Sequence, residues 1–325
     1  MKLSFVIPAH NEEAYIGKCL ESILKELRGT NYDAEIIVVN NASSDRTKEI
    51  AQKYPGVKVV DEPRKGIVWA RRAGFLASTG DLIANVDADT MLAPGWIRKV
   101  FGEFSRDPKL LALSGPFIYY DLPRGINFLV KNIFYPISYL TYLVVRFVFG
   151  VGAMLQGGNY VVRRSALEAV GGYDTSIEFY GEDADIAMRV NKIGKVKFTY
   201  SLPIYASGRR LAKEGVFTMG IRYGTNYLSM LFFKKPSSKT STDIRLTGGG
   251  NVLKYSPLNK IREWTIASVT ILVLLAIFLG AAFLTYKLAQ SGIVVARLLK
   301  LDTEAKKIEN KITNFSNQLK NEISQ

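Results

Sequence analysis

Short apolar runs alternate with segments of helical periodicity over the first hundred residues of the chain. The apolar runs predict buried strands at Leu3–Ile7, Glu35–Asn40, Val57–Asp61 and Asp81–Val86. The periodic segments predict helices from a cap at Asn11 to Leu27 and over Arg46–Tyr54, Gly66–Ser78 and Pro94–Phe104. Strands that alternate with helices indicate an α/β fold whose central, mostly parallel sheet is covered on both faces.

Polar side chains gather directly after three of these strands. The first strand is followed by Pro8–Glu12, the second by Asn40–Asp45 and the fourth by Asp87–Asp89. Parallel sheets bind ligands at the carboxyl ends of their strands, so we expect one pocket at this edge. Neither a GxGxxG turn after the first strand nor a GxxxxGK[ST] loop occurs. Dinucleotide binding of the Rossmann type and a P-loop are therefore excluded.

Two longer apolar regions lie further along the chain. The first, 126–155, is interrupted by charged, Pro and Gly residues, and we expect interfacial or re-entrant helices there. The second, Trp264–Tyr286, is an uncharged run of 23 residues with aromatic residues at both ends. Such a helix is long enough to span a bilayer, and we expect a transmembrane helix; the alternative is a buried core helix.

The remaining segments complete the expected domain organisation. Residues 1–233 are expected to form the catalytic domain, and 234–263 a basic linker rich in Ser, Thr and Gly. Residues 287–325 carry a heptad-like apolar stripe, which fits an amphipathic helix or a coiled coil through which the protein oligomerises. Charge on the two sides of the predicted span is balanced and does not give the orientation.

Composition narrows the possible chemistry. The 325 residues carry a formal net charge of +14, with one Cys and one His. A single Cys excludes an internal disulfide framework, and a single His removes the commonest zinc ligand and general base. The excess of Lys and Arg favours partners that carry phosphate, although no nucleic-acid-binding module is present. Carboxylates, hydroxyls and hard cations are left to carry any chemistry.

Asp87-Ala88-Asp89 is a candidate metal site. Two carboxylates separated by one residue at the end of a strand offer hard oxygen ligands for Mg²⁺ or Mn²⁺, which in turn bridges a diphosphate. The alternative is a solvated loop, since this spacing is common by chance. The position at the carboxyl end of a predicted strand favours the metal site.

Several motifs together resemble one family. They are FVIPAHNEE, VVNNASSDRT, ARRAGF, VDAD, GGNYVVRRSALEAVGGYD and GEDADIAMRV, and they cover residues 1–230. In this order they resemble the glycosyltransferase family 2 enzymes, which have the GT-A fold.

The resemblance implies a role for each motif. Residues at the nucleoside side of the donor would be Pro8, Ala9, His10, Glu12, Asn40 and Arg71. Asp87 and Ala88 would lie at the ribose or the metal, with Asp89 as the metal ligand. Gly157, Gly158 and Asn159 would lie at the phosphate or the acceptor. The family commonly has Asp where this chain has Asn40 and an aromatic residue where it has His10, so the base is left open. His10 would stack on the base, or alternatively it is an ordinary polar residue of the loop.

Two further clusters complete the expected site. Glu182 and Asp183 come just before a helical pattern, where the helix dipole favours ionised carboxylates. An acidic helix cap is one reading; the resemblance makes Asp183 the general base, with Glu182 beside it. Arg209 and Arg210 follow a Gly and offer a bidentate phosphate site. Their alternative is a solvated basic loop beside an anionic membrane.

The expected function is a membrane-anchored inverting glycosyltransferase with a nucleotide-diphospho-sugar donor, a divalent metal and a hydroxyl acceptor on a glycan or glycolipid. Alternatives are a polyprenyl-phosphate acceptor, which would need no base, and a non-catalytic membrane partner that kept the fold. Because nucleotide sugars are made in the cytoplasm, we expect a single-pass protein of the cell membrane with a cytoplasmic catalytic domain, acting in cell-envelope polysaccharide or glycolipid synthesis.

Overall fold

The computed structural model of the chain describes residues 1–147 and 153–238, together with Lys287. The chain comprises two units, Met1–Glu263 and Trp264–Gln325, and apart from Lys287 the described residues belong to the first. The predicted membrane span at 264–286, nearly all of the predicted tail and most of the predicted linker lie outside the described residues.

Ten strands are formed in the described part of the chain. They are β1 Leu3–Ala9, β2 Ala34–Asn40, β3 Val57–Asp61, β4 Leu82–Val86, β5 Thr90–Leu92, β6 Leu110–Ser114, β7 Phe117–Tyr119, β8 Asn159–Arg163, β9 Lys195–Phe198 and β10 Ile204–Ala206. The first four are the predicted strands, with bounds within two residues of the predicted ones. β1, β2 and β4 are predicted well because most of their residues are apolar and buried, as expected for strands inside a parallel sheet. β3 is the edge strand, and its Lys58 is exposed.

Seven strands form the main sheet in the order β3-β2-β1-β4-β8-β6-β9. β1 pairs in parallel with β2 on one side and β4 on the other, and β2 pairs in parallel with β3. β8 is antiparallel to both of its neighbours, β4 and β6. The mostly parallel α/β sheet is thus confirmed, with one reversed strand in its middle.

Ten α-helices of residues 1–147 and 153–238 surround the strands. They are α1 Ile16–Leu27, α2 Thr47–Gln52, α3 Ile67–Ala77, α4 Trp96–Arg106, α5 Arg124–Leu129, α6 Tyr135–Phe147, α7 Arg164–Ala169, α8 Glu182–Asn191, α9 Arg209–Glu214 and α10 Val216–Phe233. α1 begins later than predicted, because Asn11 does not cap it. Asn11 adopts a positive φ of 53°, and its side-chain oxygen accepts a hydrogen bond from the Ser44 backbone amide instead.

The core lies on both faces of the main sheet. On one face α1 and α4 cover β1, where Phe5 and Trp96 are in ring contact. On the other face α3 packs directly on β1 and β2. A Cβ atom at Gly74 of α3 would overlap the side chain of Val6, so this close approach requires glycine. The two helix layers hold the strands, and therefore the strand ends, in fixed register.

A second, three-stranded sheet has the order β5-β10-β7. β10 is antiparallel to β5 and parallel to β7. Because β5 starts one residue after Asp89, this pairing brings the end of β10 to the same place, and the Ser207 amide donates to the Asp89 carbonyl oxygen at 3.1 Å. The small sheet therefore delivers α9, which comes directly after β10, to the edge where the polar loops lie.

The segment predicted as interfacial or re-entrant is helical through Phe147. α5 continues into a π-helical turn, Val130–Phe134, and then into α6. In this turn the Tyr135 amide donates to the carbonyl oxygen of Val130, five residues back. Pro136, which has no amide hydrogen, comes next in the chain. Within residues 1–147 and 153–238, no helix combines the length and the apolarity that crossing a membrane requires.

Candidate active site

The predicted polar loops meet at one edge of the main sheet. β2, β1 and β4 are adjacent and parallel, so their carboxyl ends point the same way. Ala9 at the end of β1 lies opposite Asn40 at the end of β2. His10, Asn40 and Asp87 therefore begin three neighbouring loops, as the sequence predicts.

The loops after β1 and β2 are held together by short polar contacts. The His10 Nδ1 atom is 2.7 Å from the carbonyl oxygen of Asn41, so that nitrogen carries the hydrogen and donates it. The side-chain amide of Asn40 donates a hydrogen bond to the Asp61 carboxylate at 2.8 Å, and Lys48 pairs with the same carboxylate at 2.6 Å. The Pro8, Ala9 and Ala88 side chains are buried, so only their backbone can line the pocket.

Asn41 and Asp61 are two residues of this edge to which the sequence pattern gives no individual role, although Asn41 belongs to the predicted polar loop Asn40–Asp45. The Asn41 side chain is buried. Its NH2 group donates to the carbonyl oxygens of Glu62 and Arg64, and its Oδ1 accepts a hydrogen bond from the Gly66 backbone amide. It thereby ties the loop after β3 to the end of β2. The signal for it was the second Asn of the NNAS loop, and the signal for Asp61 was its position at the end of the next strand.

Asp89 and Glu12 share one arginine. Arg209 Nη2 is 3.0 Å from the Asp89 carboxylate and also bonds Glu12, while its guanidinium lies 4.6 Å from the centre of the Tyr15 ring. Glu12, expected at the nucleoside, is thus buried beneath Arg209. This places Arg209 at the donor side, beside the first acidic motif.

Arg210 points away from its neighbour. It pairs with Glu214 at 3.0 Å and lies over the Phe179 ring at 5.1 Å, towards α8 and α10. The Arg209 and Arg210 side chains are only 13% and 17% exposed, so the reading as a solvated basic loop is wrong. Helix geometry sends consecutive side chains about 100° apart, and the two arginines consequently serve different parts of the site.

Arg71 joins the two acidic motifs. Its side chain is 2% exposed, Nη2 lies 3.2 Å from Asp87 Oδ1, and Nη1 pairs with Glu182. The guanidinium also lies over the Tyr160 ring. The resemblance implied a place near the nucleoside, and in the structure Arg71 is buried against Asp87 and Glu182. A buried charge is stable only when it is paired, and here one cation faces two carboxylates.

Glu182 and Asp183 open α8, as predicted. The Asp183 carboxylate accepts hydrogen bonds from the Gly157 amide at 2.9 Å and the Ala184 amide at 2.8 Å. Burial raises the pKa of Asp183, against the opposing effect of Arg71. Burial also raises the pKa of Glu182 to about 8, although its pairing with Arg71 pulls the pKa down. Asp183 is only partly buried, so of the two it is the one open to a ligand.

Gly157 and Gly158 pass between the two acidic motifs. Gly158 has a φ of +80°, and a Cβ atom there would collide with the Asp87 carboxylate. A Cβ atom at Gly157 would lie 3.2 Å from the Asp183 carboxylate. The two glycines therefore let the backbone run between the acids. Asn159, predicted at the same site, is fully buried, with its side chain bonded to Trp96 and to the Leu202 carbonyl oxygen.

The residues of the first acidic motif fit a divalent cation that also binds a diphosphate. Asp87 and Asp89 supply hard carboxylate oxygens, and both are partly exposed. Within residues 1–147 and 153–238, no three His, Cys, Asp or Glu side chains converge as a complete cage. Mg²⁺ is usually held by one or two carboxylates together with substrate phosphates, which is the donor set that this edge offers.

Comparison with known proteins agrees with this geometry. The family described as Glycosyl transferase family 2 matches residues 4–171, which is more than half of the chain. A probable glycosyltransferase of Bacillus subtilis, YdaM, is 32% identical over 208 residues, covering 59% of this chain and 47% of that protein. The dolichol-phosphate mannosyltransferase of Pyrococcus furiosus is 38% identical over 105 residues, 31% of this chain and 29% of its own length. The chain thus covers less than half the length of these relatives.

A solved structure shares the fold. The crystal structure of a mycobacterial protein superposes with a TM-score of 0.51 and 21% identity, covering 70% of this chain and 72% of that one. The α/β sheet, the position of the acidic motifs and the family match agree: the chain has the GT-A fold and belongs to glycosyltransferase family 2.

Proposed function

We propose that the protein is a membrane-anchored, metal-dependent, inverting glycosyltransferase that moves a sugar from a nucleotide-diphospho-sugar to a hydroxyl of a glycan or glycolipid. The observation that carries the proposal is the placement of two acidic pairs around one buried arginine. Asp87 and Asp89 lie at the strand edge, Glu182 and Asp183 lie at the start of α8, and Arg71 bonds a member of each pair. Family membership supplies the reaction class.

The donor is proposed to lie along the ends of β1, β2 and β4. Asn40 and His10 border the nucleoside, and the Arg209 guanidinium, which now pairs with Asp89, is within reach of the diphosphate. Asp87 and Asp89 would hold Mn²⁺ or Mg²⁺, which when bound neutralises charge on the leaving diphosphate. Asn40 carries no charge, so it does not by itself choose between uracil and guanine.

The acceptor is proposed to enter on the side of Asp183. Its oxygen attacks the anomeric carbon from the face opposite the diphosphate, the bond from that carbon to the phosphate oxygen breaks, and the configuration inverts. Asp183 takes the acceptor's proton. Its raised pKa suits this role, because a base whose pKa is closer to the working pH accepts a proton more readily. The Gly157 and Ala184 amides hold the carboxylate in a fixed orientation.

The test is a panel of nucleotide sugars offered with Mn²⁺ to the full chain in detergent, with release of nucleoside diphosphate as the readout. We expect turnover with one class of donor and its loss in Asp89→Ala. The matched control is Asp107→Asn, which removes a carboxylate from an exposed pair with Lys195 and should keep its activity. Calorimetry that finds no metal-dependent nucleotide binding would instead identify a non-catalytic protein that kept the fold.

A second candidate acceptor is a polyprenyl phosphate. The observation that favours it is Arg210, whose guanidinium lies 5.1 Å from the centre of the Phe179 ring, in the segment that leads into α8 and Asp183. A relative named dolichol-phosphate mannosyltransferase supports it as well. An ionised phosphate needs no base, so Asp183→Asn would keep substantial activity while Arg210→Gln would lose it. A hydroxyl acceptor reverses the order of these two effects.

The membrane anchor is proposed from the sequence, because residues 264–286 lie outside the described part of the chain. A single span there, with the catalytic unit on the cytoplasmic side, fits a donor made in the cytoplasm and a product of the cell envelope. The test is a cysteine introduced at Glu49, an exposed residue of α2, in a variant without Cys19. A membrane-impermeant thiol reagent should label it only after the cells are lysed; labelling of intact cells contradicts this orientation.

A further inference from the structure

α10 turns an apolar face to solvent. Ile221, Leu228 and Phe232 are exposed at spacings of seven and four residues, which places them on one side of the helix, and Phe232 is 52% exposed. The opposite side, with Met219 and Met230, is buried against the rest of the protein. A helix on a water-covered surface normally has the reverse arrangement, with polar side chains outward.

The π-helical turn and α6 show the same reversal. Ile133, Ile137 and Leu140 are exposed at spacings of four and three residues, and Leu140 is 61% exposed. Tyr135 and Tyr142 of the same helical segment are buried. The outward side therefore carries an apolar stripe of about two helical turns, from Ile133 to Leu140.

The two stripes meet at a ring contact. Phe134 lies 5.4 Å from Phe217 between ring centroids, and a Cβ atom at Gly220 would overlap the Phe134 ring. Ile133 adjoins Phe134 in sequence, and Ile221 lies one turn beyond Phe217, so the stripes flank a single seam. We call this surface the α6–α10 face. Contiguous exposed apolar surface of this kind marks an interaction site.

Charge selects the partner. Residues 124–143 and 216–235 contain no Asp or Glu. Their exposed charged residues are Arg124, Lys131, Lys234 and Lys235, all of them basic. A second copy of this face would oppose like charges with like, whereas an apolar stripe with basic residues at its edges fits an anionic lipid surface.

We propose that the α6–α10 face lies on an anionic lipid bilayer, with α6 and α10 parallel to the membrane plane and their apolar side chains in the headgroup region. α10 then separates the bilayer from the acceptor side of the site. The first residues of α8 pack against the buried side of α10: a Cβ atom at Gly181, just before α8, would overlap Met230 of α10. Tyr180, three residues before Asp183, is in ring contact with Tyr223 of α10, at 6.0 Å between centroids.

The consequence for the acceptor rests on the proposed function. A helix with its side chains is about 10 Å across, so the candidate base stands about one helix diameter above the lipid surface. An acceptor that reaches Asp183 from this side is an amphiphile whose chain lies in the bilayer and whose reactive oxygen stands about one helix diameter above the lipid surface.

The test measures lipid contact directly in the full chain, reconstituted in nanodiscs of phosphatidylcholine and phosphatidylglycerol. In a Cys19→Ala background, a single cysteine at Leu140, at Leu228 or, as control, at Glu49 of α2 carries an environment-sensitive fluorophore. We expect blue-shifted emission and strong quenching by doxyl-labelled lipid at positions 140 and 228, and neither at 49. Equal quenching at all three positions, or none at 140 and 228, overturns the proposal. A blue shift that lipid does not quench and that grows with protein density means a second copy covers the face.

A functional arm separates this inference from the proposed function. The double variant Leu140→Asp, Leu228→Asp should abolish the quenching of a fluorophore at Phe232 and lower turnover of a lipid-linked acceptor about tenfold, while donor binding stays unchanged. The matched control is Leu76→Asp, which alters an apolar residue of α3 that is 65% exposed outside this face. Lipid quenching in a protein that turns over no donor would leave the docking surface standing and reject the proposed function alone. Unchanged quenching in the double variant rejects the docking surface.

Discussion

The donor side and the acceptor side of the site are built in different ways. On the donor side, polar residues come directly after strands that the main sheet holds in parallel register, and this register sets the backbones of Ala9 and Asn40 side by side. On the acceptor side, Asp183 starts a helix and is oriented by the amide of Gly157, 26 residues away. The sheet therefore fixes one half of the site, and packing between helices together with a glycine turn fixes the other. Arg71 bonds one acid of each half.

The largest effect is expected from Asp183→Asn, which alters the acceptor side alone. Removing a general base costs about 10²–10⁴-fold in turnover. Donor binding, which depends on the strand edge, should be unchanged, because the Asn side chain can still accept one of the two amide hydrogen bonds. Steady-state turnover together with calorimetry of nucleotide binding checks both halves at once. A matching loss of nucleotide affinity would show that the two sides are not separable.

Arg71→Met should disturb both sides together. It leaves the buried Glu182 and the partly exposed Asp87 without their shared cation, and breaking a buried pair such as Arg71–Glu182 by removing one partner costs about 3–5 kcal/mol of folding free energy. Chemical denaturation measures this cost. The control is Arg72→Met, whose side chain is exposed on the same helix and should change stability little. Equal stability of the two variants would contradict the linking role.

The pH dependence of stability should isolate Glu182. Its pKa is raised by burial from 4.5 to about 8, so the folded state binds the proton more tightly than the unfolded state does. Stability from this group is therefore fully present below about pH 4.5 and is lost as the pH rises towards 8. Glu182→Gln mimics the protonated form and should remove the part of the slope that Glu182 contributes. The measurement is the Tm of both proteins between pH 5 and about 8.5, and parallel curves would refute the assignment.

The smallest effect is expected at the outer end of the donor side. Lys48 and Asp61 are 36% and 56% exposed, and exposed pairs contribute about 0–1 kcal/mol. Asp61→Asn should therefore change the free energy of unfolding by less than about 1 kcal/mol. Urea denaturation of this variant beside Arg71→Met gives the contrast between exposed and buried pairing in one protein. A loss as large as that of Arg71→Met would mean that Asp61 orders the whole edge through Asn40.

The sequence predicts the position of a site residue correctly where a single strand or the start of a single helix places that residue. β1 to β4 and the first residue of α8 can be inferred from local apolar pattern and charge, and so can the positions of Asp87, Asp89 and Asp183. It does not predict the position of a residue whose partner is distant in the chain. Asn11 does not cap α1, because its side-chain oxygen accepts a hydrogen bond from the Ser44 backbone amide. Asn159 lies in the core, where its side-chain oxygen accepts a hydrogen bond from the Trp96 indole.

The neighbouring arginines show the same limit. Sequence reasoning treated Arg209 and Arg210 as one phosphate site, but the first pairs with Asp89 and the second with Glu214. Their separation depends on the helix that begins at Arg209, which in turn depends on Asp121. The Asp121 carboxylate accepts hydrogen bonds from the Ser207 hydroxyl and the Gly208 amide, and nothing in the local pattern announces that contact.

The π-helical turn before α6 sets the helical phase of α6 itself. A turn closed five residues back holds one residue more than an α-helical turn, and one residue corresponds to about 100° of rotation. Ile137 and Leu140 owe their outward direction to that extra residue. Deleting one residue from Val130–Phe134 would rotate α6 by about a quarter of a turn, carrying its apolar stripe off the α6–α10 face. The direction in which this protein presents its apolar surface therefore depends on the number of residues in one turn. It can change without any substitution in the stripe itself.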